Sequence, residues 1–266
     1  MVNVPMKSSA PLSKNTIASI NQSLVQGARS SKDILSLNRD KHSNMSHQQS
    51  SQHTIAHALP SAPSQSISPS FSTNNAIISK PIPSLLHHIQ KGQKVSLTTT
   101  GQLPKLKCSL GWNTTANCDI DVSAFLLNSS GKVIGDTWFV FYGQTTSPDG
   151  STVFNPYEND DRESLSIDLT KINTSVSKIV FVLTINEAKE KELNFSMVSD
   201  TYIRILNSSN NQELVSFMTN EYYSNVTSMM IGEIYLHNNT WKFNAIGNGV
   251  AKDLAGLCEL YGVMVI

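Results

Sequence analysis

The chain has 266 residues, a formal net charge of zero and 15% charged residues. Globular proteins usually carry about 25% charged residues, and here Ser, Thr and Asn take their place, which favours strands and loops over exposed helices. No run of about 18 apolar residues is present, so we expect no transmembrane helix, and the first residues lack the apolar core of a secretory signal. The cysteines Cys108, Cys118 and Cys258 have neither metal-site nor disulfide-framework spacing, so we expect reduced, buried thiols in a cytoplasmic protein.

Residues 1–84 are predicted to form a disordered, low-complexity tail rich in serine. Residues 1–80 contain nineteen serines and one aromatic residue, Phe71. This composition cannot bury enough apolar area to offset the entropy of ordering the chain. The same residues include seven basic and two acidic side chains, a balance too weak to indicate nucleic-acid binding.

From residue 85 to residue 266, short alternating strands separated by Gly, Asn and Ser turns predict an all-β, two-sheet sandwich. The predicted strands are 94–99, 106–110, 118–127, 138–142, 165–169, 178–185, 201–206, 214–218, 229–237 and 241–246. Two helices are expected, a short one at 187–192 and a C-terminal one near 250–260. About 180 residues are enough to bury one core.

The strand at 118–127 carries two carboxylates, although strands ordinarily avoid Asp. Its alternation directs Ile120 and Val122 to one face. Asp119 and Asp121 then point to the other face, roughly 7 Å apart, where they repel by roughly 2.4 kcal/mol at an effective dielectric of 20. A hard cation that collects oxygen ligands would relieve this repulsion. A solvated edge strand that tolerates charge is the alternative.

The order of motifs along this part of the chain resembles the TerD family of tellurium-resistance and stress proteins, over roughly residues 90–266. The motifs are Gly111-Trp112, Asp119-x-Asp121-x-Ser123-Ala124-Phe125, Phe139-Val140-Phe141-Tyr142, Ser147-Pro148-Asp149-Gly150, Ile203-Arg204-Ile205, Gly232-Glu233-Ile234-Tyr235, Trp241-Lys242-Phe243 and Gly247-x-Gly249. The resemblance implies a compact β-sandwich that binds calcium through acidic and amide oxygens in loops at one end. It also implies a non-enzymatic role in the stress response.

Two further segments add oxygen donors to the Asp pair. The turn at 144–150 offers side-chain and backbone oxygens, and the run 158–163 holds a dense group of carboxylates just before a strand. Calcium takes six to eight oxygens, more than one strand supplies, so the three segments predict a shared site. The predicted ligands are Asp119, Asp121, Gln144, Ser147, Asp149, Asn159, Asp160, Asp161 and Glu163.

Three positions depart from the family pattern and favour an alternative to calcium binding. Gly143 follows the aromatic strand, Val226 replaces an acidic position, and Arg162 stands where an aspartate is expected. An Arg beside the ligands could supply the positive charge that a cation otherwise provides, so we expect weakened calcium binding. The alternative is a metal-independent module, degenerate at the calcium sites, that binds other proteins of unknown identity.

Other side chains are expected to serve structure. No Ser-His-Asp arrangement and no Gly-x-Ser-x-Gly turn can be identified, so we expect the protein to have no enzymatic activity. The three tryptophans are expected in the core. Arg204 is expected to pair with Glu233 or Asp168.

Overall fold

The computed structural model describes residues 79–98, 104–156, 161–219, 221 and 223–265. These residues form two six-stranded sheets and one C-terminal helix, so the predicted all-β fold is confirmed. None of the helices in this part of the chain has the length and apolar character needed to span a membrane. The predicted tail lies almost entirely outside the described residues, and its boundary at residue 84 stays a prediction.

The strands are named β1 to β12 in chain order. They are β1 His88–Ile89, β2 Lys94–Ser96, β3 Lys105–Thr114, β4 Ile120–Leu127, β5 Phe139–Val140, β6 Thr152–Pro156, β7 Glu163–Asp168, β8 Lys178–Ile185, β9 Val198–Asn207, β10 Glu213–Met218, β11 Ser228–His237 and β12 Thr240–Val250, followed by helix α1 at Leu254–Tyr261. The first sheet has the order β1-β10-β9-β3-β7-β6 and the second β2-β12-β11-β8-β4-β5. Neighbouring strands are antiparallel except β1 and β10, which run parallel.

The main core lies between the two sheets. Alternate residues of β3, among them Cys108 and Leu110, meet alternate residues of β4, among them Val122 and Ala124, and all four are completely buried. Burying a large apolar side chain stabilises the fold by roughly 1.5–3 kcal/mol. Trp112 and Trp241 lie in this core and Trp138 packs against it, as predicted.

A second apolar layer covers the outer face of the second sheet. Phe125 stacks on Phe139 with ring centroids 4.4 Å apart, and Tyr261 of α1 packs on Phe125 at 4.5 Å. The helix begins after Asp253, whose side chain accepts a hydrogen bond from Gly256 N. Strand β4 is therefore buried on both faces beyond Ser123, which explains its continuous apolar run.

Several predicted elements need correction. Residues 187–192 form turns and not a helix, because Glu187 and Glu192 adopt left-handed φ values of 50° and 55°. The predicted strand at 138–142 is reduced to Phe139–Val140, preceded by a 3-10 turn at Asp136–Trp138. Strands β1 and β6 were not predicted. Of the cysteines, Cys108 and Cys258 are buried thiols, whereas Cys118 is partly exposed.

Candidate metal centre

Three carboxylates come together at one end of the sandwich, where β3 ends and β4 and β7 begin. Asp119 immediately precedes β4, Asp121 is the second residue of that strand, and Glu163 is the first residue of β7. Asn186, which follows β8, extends the β4–β8 ladder by donating its N–H to the Asp119 carbonyl at 2.8 Å. We refer to Asp119, Asp121 and Glu163 as the carboxylate cluster.

Glu163 reaches across from the first sheet to the second. Leu165 and Ile167, two and four residues further along β7, lie in the core, so Glu163 points to the same side. Its Oε2 accepts a hydrogen bond from Val122 N at 2.9 Å. Burial raises the pKa of the Glu163 carboxyl well above its usual value, and the charges of Asp121 and Asp119 raise it further, against the lowering effect of the Val122 hydrogen bond.

Two other side chains of this region, Asp121 and Tyr142, also have raised pKa values. Burial, followed by the charge of Asp119, raises the pKa of Asp121 to about 8, although some of its surface stays exposed. Burial also raises the pKa of Tyr142, and the charges of Asp121, Asp119 and Glu163 add to this effect. The charged neighbours that act on Asp121 and Glu163 are thus acidic themselves. Carboxyls whose pKa values are raised by burial and by a specific charged neighbour are candidates for functional-site residues.

An unpartnered hydroxyl lies on the same strand face as Asp121. Ser123 is 2% exposed, and its Oγ makes no hydrogen bond within the described residues. Buried polar groups are normally satisfied.

The donor chemistry fits a hard cation such as calcium, which prefers oxygen ligands. The described residues do not preassemble a complete coordination sphere, since no three of their His, Cys, Asp or Glu side chains form a group that would hold a metal ion. Asn159 and Asp160 lie outside the described residues, and their role as ligands stays a prediction.

Within the turn at 144–151, two predicted ligands bond to each other and to their own backbone. Ser147 Oγ donates to Asp149 Oδ1 at 2.7 Å, Ser151 N donates to the same oxygen at 2.9 Å, and Asn173 N donates to Oδ2 at 2.9 Å. Burial acts to raise the pKa of Asp149, but these hydrogen bonds outweigh it and lower the pKa. The amide of Gln144 donates to the Phe139 carbonyl at 2.7 Å. These contacts account for the oxygens of Ser147 and Asp149 without a metal, whereas Gln144 is held through its amide nitrogen.

Asp161 forms a buried ion pair on the outer face of the first sheet. Its carboxylate accepts hydrogen bonds from Arg204 Nε at 3.0 Å, Arg204 Nη2 at 2.8 Å and Tyr202 Oη at 2.9 Å. The expected pairing of Arg204 with Glu233 or Asp168 is therefore wrong. Those two carboxylates pair with lysines 178 and 105, respectively. The ion pair was missed because Asp161 lies within an acidic run and Arg204 is more than forty residues away.

Arg162 directs its guanidinium to the end of β3. Its Nε donates to the Trp112 carbonyl at 3.0 Å, and its Nη2 lies 3.4 Å from Asn113 Oδ1. Burial lowers the pKa of Arg162. These contacts join the loop before β7 to the strand beside it.

The fold and this acidic end define a β-sandwich protein with a candidate cation site at one end of the sandwich. The TerD domain model matches residues 85–261, and the chain belongs to this family. It is 40% identical over 185 residues to the tellurium resistance protein TerD of Serratia marcescens, covering 66% of this chain and 96% of that one. It is 38% identical over 189 residues to general stress protein 16U of Bacillus subtilis strain 168, and this match covers 66% of this chain and 97% of that one.

Among solved structures, a homologue of telluride resistance protein (TerD) from Streptomyces coelicolor A3(2) matches with a TM-score of 0.46 and 16% sequence identity. The match covers 58% of this chain and 94% of that one.

Proposed function

We propose that this chain is a non-enzymatic, calcium-binding stress-response protein of the tellurium-resistance type. The carboxylate cluster would hold the ion, with further oxygens from the loop that precedes Glu163. The observation that carries this proposal is the convergence of Asp119, Asp121 and Glu163, where burial and then the neighbouring acidic charges raise the pKa of both Asp121 and Glu163. Relatives whose names refer to tellurium resistance and general stress support the biological setting.

Calcium would act mainly by crosslinking the two sheets. Asp121 belongs to β4 of the second sheet, Asp119 immediately precedes that strand, and Glu163 belongs to the first sheet, so one ion would join them and neutralise their repulsion. A ligand that binds the folded state alone stabilises it by RT ln(1 + [L]/Kd), about 2.7 kcal/mol at one hundred times the Kd. The loops at this end would then present a more rigid surface to protein partners.

Thermal unfolding of the full chain tests this proposal. We expect saturating calcium to raise the melting temperature by roughly 5–10 °C relative to chelator, since that gain in stability corresponds to such a shift for a domain of this size. Magnesium, which demands tighter octahedral geometry, should give a smaller shift. Identical melting temperatures in millimolar calcium and in chelator would remove the metal role.

The alternative function is a metal-independent module that binds other proteins. It is favoured by the Asp161–Arg204 ion pair and by the satisfied carboxylate of Asp149, because both take predicted ligands out of the ion site. A partner captured equally well in calcium and in chelator would support it. In either case we propose a cytoplasmic location, since the three described cysteines are free thiols and disulfides are rare in that compartment.

A further inference from the structure

A short segment that precedes the family match is attached to the end of the first sheet. Lys80 N donates to Asn113 Oδ1 at 2.7 Å, and Asn113 Nδ2 donates to the Lys80 carbonyl at 3.1 Å. Lys80 Nζ also donates to the Asp161 carbonyl. Pro81 and Ile82 follow, lying against the same end of β3. The backbone and the side chain of Lys80 are thus both fixed, five residues before the TerD domain match begins.

Asn113 is the centre of these contacts. It is 7% exposed, its Nδ2 donates to Asp200 Oδ2 at 2.9 Å, and its Oδ1 lies 3.4 Å from Arg162 Nη2. The β3–β9 register shifts between Gly111 and Asn113, and Asp200, in the shifted stretch of β9, has a left-handed φ of 55°. The extra residue of this bulge lies in β9, and Asn113 contacts Asp200 there, Lys80 of the segment and Arg162 of the loop before β7.

Three consecutive residues connect this attachment with the carboxylate cluster. The Asp161 carbonyl accepts from Lys80 Nζ. Arg162 donates its N–H to the Leu110 carbonyl at 2.8 Å and its guanidinium to β3. Glu163, the next residue, is the cluster member that accepts from Val122 N. A displacement at Lys80 or Asn113 would therefore be transmitted through at most two peptide units to Glu163.

We propose that Lys80 and Asn113 are positioning residues for the cation site, and that the segment Lys80–Ile82 is a strap that holds Glu163 in place. The inference rests on the proposed calcium function, since the positioned carboxylate is one of its ligands. It assigns a role in the site to a part of the chain that lies before the family domain. Residues that orient a metal ligand commonly change metal affinity by roughly tenfold or more.

The amide proton of Val122 provides a local measure of this positioning that does not require calcium. Its exchange rate in the full chain is compared in wild type, Lys80→Ala and Asn113→Ala. Because the amide is bonded to Glu163, we expect exchange to become roughly tenfold faster in both variants, as loss of one positioning hydrogen bond lowers the cost of local opening. The Phe181 amide, inside the second sheet, should keep its rate and shows that the fold is intact.

Matched controls and a calcium titration complete the experiment. Lys94→Ala removes an exposed lysine at the far edge of the second sheet, and Asn207→Ala removes an asparagine that caps a distant turn; neither should change Val122 exchange. Calcium affinity should fall roughly tenfold in Lys80→Ala and Asn113→Ala. If Asn113→Ala fails to fold, Lys80→Ala still decides.

The possible outcomes separate this inference from the proposed function. Unchanged Val122 exchange in the folded variants overturns the strap, whatever calcium does. If Val122 exchange becomes faster in the variants but their calcium affinity is unchanged, Lys80 and Asn113 have no role in the cation site. If wild type takes up no calcium while Val122 exchange is still faster in the two variants, the proposed function fails, and the positioning of Glu163 by the strap is supported.

Discussion

Asp121 shows how strongly a carboxyl depends on its surroundings. Its pKa is raised to about 8 by burial and by Asp119, so in the ion-free protein it keeps its proton at pH values where the unfolded chain has lost it. The folded state then binds more protons than the unfolded state, and stability falls as pH rises. The contribution is fully present below the unfolded pKa of about 4 and is lost by about pH 8.

Replacing Asp121 tests directly whether stability falls as pH rises. We expect Asp121→Asn to stabilise the ion-free protein by about 2 kcal/mol at pH 8, because the cost of burying the charge and its repulsion with Asp119 both disappear, and to have a much smaller effect at pH 5. Urea denaturation in chelator at both pH values measures the difference. Asp168→Asn is the matched control and should destabilise the protein at both pH values. A hydrogen bond from Thr170 lowers the pKa of Asp168, so its ionised form stabilises the folded state. A pH-independent effect of Asp121→Asn would contradict the account.

Asp161 has the same side chain as Asp121 and a different task. Both of its oxygens are held by Arg204, and the two side chains are 3% and 15% exposed. Removing one partner of a buried pair leaves the other charge uncompensated. Asp161, which was predicted as a metal ligand, therefore stabilises the first sheet through its ion pair with Arg204.

We expect Asp161→Asn to lower the free energy of unfolding by about 3 kcal/mol, as measured by urea denaturation. The control Glu233→Gln breaks a more exposed pair with Lys178 and should cost about 1 kcal/mol or less. If the two substitutions cost the same, the Asp161 pair does not have the structural importance assigned to it.

At the scale of elements, the end of β3 depends on one close approach. Gly111 lies opposite Tyr202 of β9, and a Cβ at Gly111 would lie 2.3 Å from the Tyr202 ring. The ring crosses the glycine to reach Asp161 with its hydroxyl. The glycine is therefore needed for packing between strands.

We expect Gly111→Ala to lower the free energy of unfolding by about 2 kcal/mol, because the tyrosine must move and the overpacked sheet is strained. Gly135→Ala is the control, since its added Cβ would meet Trp138 at 3.5 Å, an ordinary contact. That change should stay within about 0.5 kcal/mol. Equal, small effects in calorimetric unfolding would show that Tyr202 can relocate freely.

Strands were predictable where the apolar pattern itself is continuous or alternating. The strand at 178–185 has the predicted limits, since every residue from Ile179 onward is buried. The short edge strands β1 and β6 could not be predicted, because two to five residues with mixed polarity are fixed only by their partners. The turns at 187–192 looked helical, since Glu and Lys favour helices and their left-handed positions have no local signal.

At the scale of the whole molecule, the ends of strands from both sheets determine the candidate site. The sequence pattern placed Asp119 and Asp121 on one strand face, and the fold brings Glu163 of the opposite sheet to that strand. Ser147, Asp149 and Asp161 were also predicted as ligands, but their oxygens bond to partners in their own turn or on the first sheet. Such pairings depend on three-dimensional neighbours and could not be read from spacing.

Calorimetric titration of the full chain with calcium tests most directly whether the carboxylate cluster binds a cation. We predict a saturable heat in wild type at neutral pH, retained in Asp168→Asn and lost or weakened at least tenfold in Glu163→Gln, since affinity depends on the number of charged ligands. No heat in wild type at millimolar calcium, or equal binding by Glu163→Gln, would contradict this prediction.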